Sequence, residues 1–157
     1  MAVIAQRSSS DASEARGLGL VPRADQMNRS SLSRQDLLDS IAQILADAEF
    51  SYVFGSVCTD AFGDSSDIDV AVQFSGPLSW EDRSKLIQRI SEVSGRDVDL
   101  VDLRAADPII KRQVLAHGRL LAARSQGVLH RFQMNALSEY ADLKIDRRAI
   151  EERIARQ

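Results

Sequence analysis

Residues 50–74 read FSYVFGSVCTDAFGDSSDIDVAVQF, and this stretch decides the fold. Phe50 to Phe54 is a short aromatic and β-branched run, the composition of a strand, and Gly55 ends it. Asp67 to Phe74 is a second strand, closed by the turn residues Ser75, Gly76 and Pro77. Its acids are the anomaly. Asp67 and Asp69 are two residues apart, so on a strand both side chains leave one face, about 7 Å apart along the backbone. Ile68, Val70 and Val72 face the other way, into a core. Between the strands, Gly55-Ser56 opens a short helix expected through Val57 to Phe62. Such a junction offers free backbone N–H groups and a hydroxyl to an anion.

Further along, Arg96 to Leu103 (RDVDLVDL) reads as a third strand. Asp99 lies between the apolar Val98 and Leu100, where a carboxylate otherwise lacks a reason to be. Asp97 shares its face and Asp102 takes the opposite one; both read as surface charges at the strand ends. Carboxylates converging on one sheet edge repel unless cations sit between them. Hard oxygen donors at that density suit Mg²⁺, with Mn²⁺ as the alternative. Phosphate on the Gly55-Ser56 turn and metal on Asp67, Asp69 and Asp99 would together make a nucleoside-triphosphate site.

The flanking sequence supplies helices. Ser33, with Asp36 three residues on, is an N-cap for a helix carrying Leu37, Leu38, Ile41, Ile44, Leu45 and Ala48 at helical spacing. Ser79 caps a second, running to about Ser94 with Leu86, Ile87, Ile90 and Val93 as its inner stripe and Gly95 as terminator. Asp107-Pro108 is an N-cap and first-turn pair for a third, which stops at Gly118. Leu120 to Ala123 is a short edge strand. From Val128, the residues Leu129, Phe132, Ala136, Tyr140 and Leu143 mark a last amphipathic helix that Ile150 and Ile154 extend. The order α-β-β-α-β-α-β-α implies an α+β, or mixed α/β, fold: a small mixed sheet flanked by helices.

Residues 1–31 differ in composition, holding six serines, Gly17, Gly19 and Pro22 without a sustained apolar period, and read as a mobile N-terminal tail. Residues 32–157 form the domain. A chain of 157 residues is one ordinary domain, and its 44% hydrophobic and 27% charged content excludes wholesale disorder. A net charge of −3 argues against a nucleic-acid-coating surface. The lone Cys58 excludes an internal disulfide framework and fits a reducing cytoplasm. No apolar run is long enough for a membrane span. Cys58 reads as a small buried thiol. His117 and His130, far apart in sequence and without Cys or acidic partners at metal spacing, read as surface or cap residues. Arg147, Arg148, Arg153 and Arg156 read as a solvated helix face, with an acidic or RNA-bearing partner as the alternative.

Gly-Ser, ten residues, then Asp-Ile-Asp, with Val98-Asp-Leu-Val-Asp-Leu103 further on, resembles the polymerase-β-type nucleotidyltransferases, in particular their minimal (MNT) branch. The likeness covers about residues 33 to 145, including the His117-Gly-Arg-Leu-Leu121 ending, and looks most like the antitoxins of the MntA kind encoded beside HEPN toxins. It implies a polymerase-β-like nucleotidyltransferase fold, ATP with two Mg²⁺ ions, and AMP transfer onto a tyrosine of a HEPN-type (HepT-like) RNase toxin, which the transfer neutralises. The expected assembly is a cytoplasmic hetero-oligomer with that toxin, without membrane or direct nucleic-acid contact. Carried over position by position, Gly55 and Ser56 match the nucleotide-binding turn. Asp67 and Asp69 match the catalytic pair that binds both metals, and Asp99 matches the third catalytic and metal-binding carboxylate. Where this branch usually has Arg-Gly, the chain has Thr59-Asp60. That removes one phosphate contact and adds a negative charge nearby. Two other readings stay open: a transferase with a small-molecule acceptor, and an antitoxin that acts by binding alone.

Overall fold

The capping box at Ser33 is built as the spacing implies. Asp36 N–H donates to Ser33 Oγ at 3.1 Å while Ser33 N–H donates to Asp36 Oδ2 at 3.3 Å. The computed structural model describes residues 33–155, so the tail expected over 1–31 and its boundary lie outside the described residues. Helix α1 (Arg34–Ile44) leads into strand β1 (Phe50–Phe54), a 3₁₀ turn (Gly55–Cys58) and strand β2 (Ile68–Gln73). Then come α2 (Trp80–Ser94), β3 (Val98–Asp102), α3 (Pro108–His117), β4 (Arg119–Ala123) and α4 (Gln126–Ile154). The mixed α/β order read from the sequence is the order observed.

The sheet runs β3-β2-β1-β4. β1 is antiparallel to both β2 and β4, whereas β2 and β3 are parallel. A parallel pair needs a crossover, and α2 supplies it. The two faces bury separate cores. On one, Leu37, Leu38, Ile41 and Leu45 from the α1 segment meet Val53, Ile68, Val70, Val72 and Leu100, with Ile90 of α2. On the other, Phe50, Tyr52, Phe54 and Ala71 meet Val114 of α3 and Leu129, Phe132 and Ala136 of α4. Period-2 alternation along β2 therefore sends Ile68, Val70 and Val72 towards α1 and α2. Asp69 and Ala71 go to the side covered by α3 and α4.

Two expectations change and a third is borne out. The helix foreseen over Val57–Phe62 is instead a four-residue 3₁₀ turn beginning at Gly55, and Thr59 is already extended at φ −123°. Thr59 Oγ1 donates to Ser56 O at 3.0 Å and accepts from Ala61 N–H at 3.2 Å, which closes the turn locally. Val93, placed in the inner stripe of α2, is 38% exposed; Ile90 is the helix's one fully buried residue among those described. α2 rests on the edge strand β3 and against α1, so its buried stripe is narrower than the spacing implies. Lastly, α4 is one continuous helix of 29 residues, about 44 Å long. Five-residue strands span only about 17 Å. Its second half therefore overhangs, with Ile145 and Ile154 exposed. Ile150's side chain lies outside the described ones, as does Arg156.

Candidate active site

β1 delivers the site's first half. All five of its residues are buried, so the chain emerges at Gly55 on a fixed path. Gly55 has φ +69°, a conformation that costs an L side chain about 1 kcal/mol or more. A Cβ there would also collide with Asp69 Oδ2 and stand 3.1 Å from Asp69 Cγ. Glycine is thus required twice over, for the backbone and for the neighbour. The carboxylate of Asp69 occupies the space where a side chain of the Gly-Ser turn would otherwise stand. Ser56, next along, is half-buried, and its hydroxyl makes no hydrogen bond among the described residues. It does not cap the short helix, whose first turn has no side-chain cap.

The second half comes from the β2–β3 ladder. Phe54 pairs with Asp69 across β1 and β2, and Asp69 pairs with Asp99 across β2 and β3. Paired residues on adjacent strands put their side chains on one face, about 4.8 Å apart at the backbone. Asp67 lies one residue before β2 and is exposed; Asp69 is half-buried and Asp99 exposed. The carboxyl of Asp69 holds its proton to higher pH than usual, first because burial disfavours its charge, then through repulsion by Asp99 and by Asp67. Register and electrostatics therefore place the three sequence-predicted acids together at the end of the sheet where β1 gives way to Gly55. Among the described residues, no three His, Cys, Asp or Glu side chains are gathered tightly enough to enclose a metal ion. The all-oxygen donor set and its excess of negative charge nonetheless fit a hard divalent cation.

The loop that returns to Asp67 is tied down from β3. Arg96 Nη1 donates to the carbonyls of Gly63 and of Ser66, the latter at 2.9 Å. Its guanidinium lies 4.5 Å from the centroid of the Phe62 ring, and Arg34 lies 5.2 Å from the same ring. Ile68 N–H donates to Asp97 O at 2.9 Å. These contacts were not legible in the sequence. A lone arginine before a strand has no periodic signature, and its partners lie 30 or more residues away.

Other candidates keep their structural readings. Asp102 Oδ1 accepts from Arg104 N–H at 2.9 Å and shapes the turn after β3. Asp97 is exposed; Cys58, expected to be buried, is half-buried, and its Sγ donates to Val53 O at 3.3 Å. His117 and His130 are both exposed, as expected, yet the packing of α3 on α4 brings them to one cleft with Arg112 and Met134.

The family model described as polymerase beta, nucleotidyltransferase, matches residues 38–127, more than half of the chain. The chain belongs to the polymerase-β nucleotidyltransferase family. It is a nucleotidyltransferase, as the sequence reading has it. The protein adenylyltransferase MntA of Shewanella oneidensis is 32% identical over 125 residues, covering 80% of this chain and 86% of that protein. Among solved structures, a toxin–antitoxin with AMP-PNP superposes with a TM-score of 0.65 at 29% identity, covering 79% of this chain and 99% of the other. The MNT antitoxin in complex with the tri-AMPylated HEPN toxin of Shewanella oneidensis gives a TM-score of 0.65 at 29% identity, covering 78% and 99%. The MntA–HepT complex gives 0.63 at 30% identity, covering 77% and 98%. No helix among the described residues is long and apolar enough to cross a membrane.

Proposed function

We infer that this nucleotidyltransferase transfers AMP from ATP onto a tyrosine of a HEPN-type toxin and thereby neutralises it. The observation that carries this reading is the fit of the Asp69 carboxylate against the Gly55 turn, with Asp99 beside it in register. A phosphate-holding turn and an acid set are thereby built as one unit. The likeness to an adenylyltransferase and to antitoxins solved with AMP-PNP and with an AMPylated toxin supports the donor and the acceptor class.

In this reading the Gly55-Ser56 turn accepts the triphosphate, the Ser56 hydroxyl and backbone N–H groups donating to its oxygens. Asp67, Asp69 and Asp99 would hold two Mg²⁺ ions; bound there, the metal neutralises the triphosphate and acidifies the attacking hydroxyl. The acceptor oxygen forms a bond to the α-phosphorus, the α–β bridging P–O bond breaks, and pyrophosphate leaves with the electron pair. Asp99, exposed on the edge strand β3, is assigned the acceptor's proton. The reducing, ATP-rich cytoplasm suits both this substrate and the free thiol of Cys58.

The test is incubation with α-labelled ATP, Mg²⁺, the purified HEPN toxin and a panel of aminoglycosides. Label on a toxin tyrosine is the expected result. Label on a small molecule would move the acceptor class. A tight toxin complex without label would make this an antitoxin that works by contact, the reading that Thr59-Asp60 favours.

A further inference from the structure

We propose that Arg96 is the positioning residue that sets Asp67 beside Asp69 and Asp99, acting as a clamp between the leading end of β3 and the loop over residues 59–67. The proposal rests on the reading of Asp67 as part of the metal-binding set.

Asp67 needs such a device. It is the one acid of the three that lies outside a strand, it is exposed, and its charge repels that of Asp69. No side-chain hydrogen bond or ion pair holds it among the described residues. Its two neighbours, however, are each held by one of two adjacent residues, Arg96 and Asp97. Ser66 O accepts from the guanidinium of Arg96, and Ile68 N–H donates to the carbonyl of Asp97. Arg96 also donates to Gly63 O, which itself accepts from Ser66 N–H at 3.1 Å, while Gly63 N–H donates to Ser66 Oγ at 3.0 Å. The segment Gly63–Ser66 is therefore a closed turn gripped from outside by one side chain.

The choice of arginine follows from geometry. Both bonds come from Nη1, whose N–H groups lie in the guanidinium plane, so the two carbonyls are bonded while the flat face rests on the ring of Phe62, a stacking that the compact ammonium of lysine does not offer. The ring of Phe62 packs against the α1/α2-side core, so the grip is anchored in the hydrophobic interior. Because its partners are neutral carbonyls and a ring, the clamp leaves the negative charge of the acid set intact for a cation. It sits three residues before Asp99, so one stretch of chain both supplies the third carboxylate and locates the first.

The experiment uses the full chain, with Mn²⁺ as the probe, read by calorimetry and by the paramagnetic signal of free Mn²⁺. Amide hydrogen exchange over residues 59–67 is followed in parallel without metal. For Arg96→Ala, exchange over the loop should quicken and Mn²⁺ affinity should fall roughly tenfold, the usual cost of losing an outer-shell partner. Arg96→Lys should fall between, since it keeps the charge but not the planar face that rests on Phe62. Asp67→Asn serves as the control and should weaken Mn²⁺ binding with loop exchange unchanged. Wild-type Mn²⁺ affinity in Arg96→Ala, with Asp67→Asn weakened, overturns the positioning role and leaves the site reading standing. Wild-type affinity in Asp67→Asn overturns the site reading itself. Should Arg96→Ala fail to fold, the lysine variant decides: Mn²⁺ affinity and loop exchange both equal to wild type overturn the clamp.

Discussion

Replacing Asp69 by asparagine should make the metal-free protein more stable while it removes the activity. The substitution is isosteric, so the side chain that fills the space above Gly55 keeps its shape. What disappears is a charge that is partly buried and repelled by Asp99 and Asp67. Two carboxylates on paired positions of adjacent strands stand about 5 Å apart; at an effective dielectric between those of a protein surface and water, they repel by about 1–2 kcal/mol. Asp69 is only half-buried, so solvent screening brings the expected gain down to about 1 kcal/mol. For a domain of this size that is about 4 °C in Tm. The pH dependence has a definite sign. The folded state holds the Asp69 proton to higher pH than the unfolded chain does. At acid pH, with the group protonated in both states, wild type carries no penalty and the two proteins melt together. As pH rises through the elevated folded pKa the wild type loses stability relative to the variant, and the gap stays open at neutrality. Mg²⁺ should then raise the wild-type Tm and close the gap, leaving the variant little moved. Scanning calorimetry from pH 3.5 to 7.5, with and without Mg²⁺, measures all of this. A variant less stable than wild type at neutral pH, or a difference indifferent to both pH and Mg²⁺, would refute the argument.

Three further outcomes follow from the same geometry. Ser56→Ala should weaken ATP binding by about 1.5 kcal/mol, roughly tenfold, since a hydroxyl bonded to a charged phosphate is lost; an unchanged Kd in calorimetry would remove Ser56 from the nucleotide site. The double change Thr59→Arg, Asp60→Gly should tighten ATP binding several-fold, because a guanidinium makes charge-assisted bonds to phosphate and a nearby negative charge goes; equal or weaker affinity counts against it. Truncation after Leu143 should leave ATP binding nearly unchanged but weaken the toxin complex, because the overhanging half of α4 exposes Ile145 and Ile154 beside Arg147 and Arg148, which pair with Glu151 and Glu152 one turn on. Pull-down at full-length affinity would take this segment out of the interface.

Much of this fold was legible because local signals agreed with one another. Ser33, Ser79 and Asp107 each cap the helix they announce, and Gly95 ends α2 in the left-handed conformation that glycine favours. The alternation in residues 67–74 placed Ile68, Val70 and Val72 in the core correctly but missed Ala71, which the second core buries on the opposite face. Two kinds of feature were hidden. The turn after Gly55 is set by tertiary contact with Asp69 and by Thr59 bonding back to Ser56, so no helical period extends it to Phe62. Contacts between distant segments, such as Arg96 with Gly63 and Ser66, or the meeting of His117 and His130 between α3 and α4, depend on packing that no local pattern encodes. The pairing of Asp69 with Asp99 belongs to the same class: the acids were visible as anomalies in apolar strands, but their register required the parallel ladder.

The most direct test of the central claim is the intact mass of a HEPN toxin after incubation with ATP, Mg²⁺ and either the wild-type protein or the Asp67→Asn, Asp69→Asn double variant. Wild type should add one or more AMP masses to a toxin tyrosine. The double variant, folded by circular dichroism and still bound to the toxin, should add none. AMP transfer by that variant at the wild-type rate would contradict the assignment of these carboxylates and the mechanism built on them.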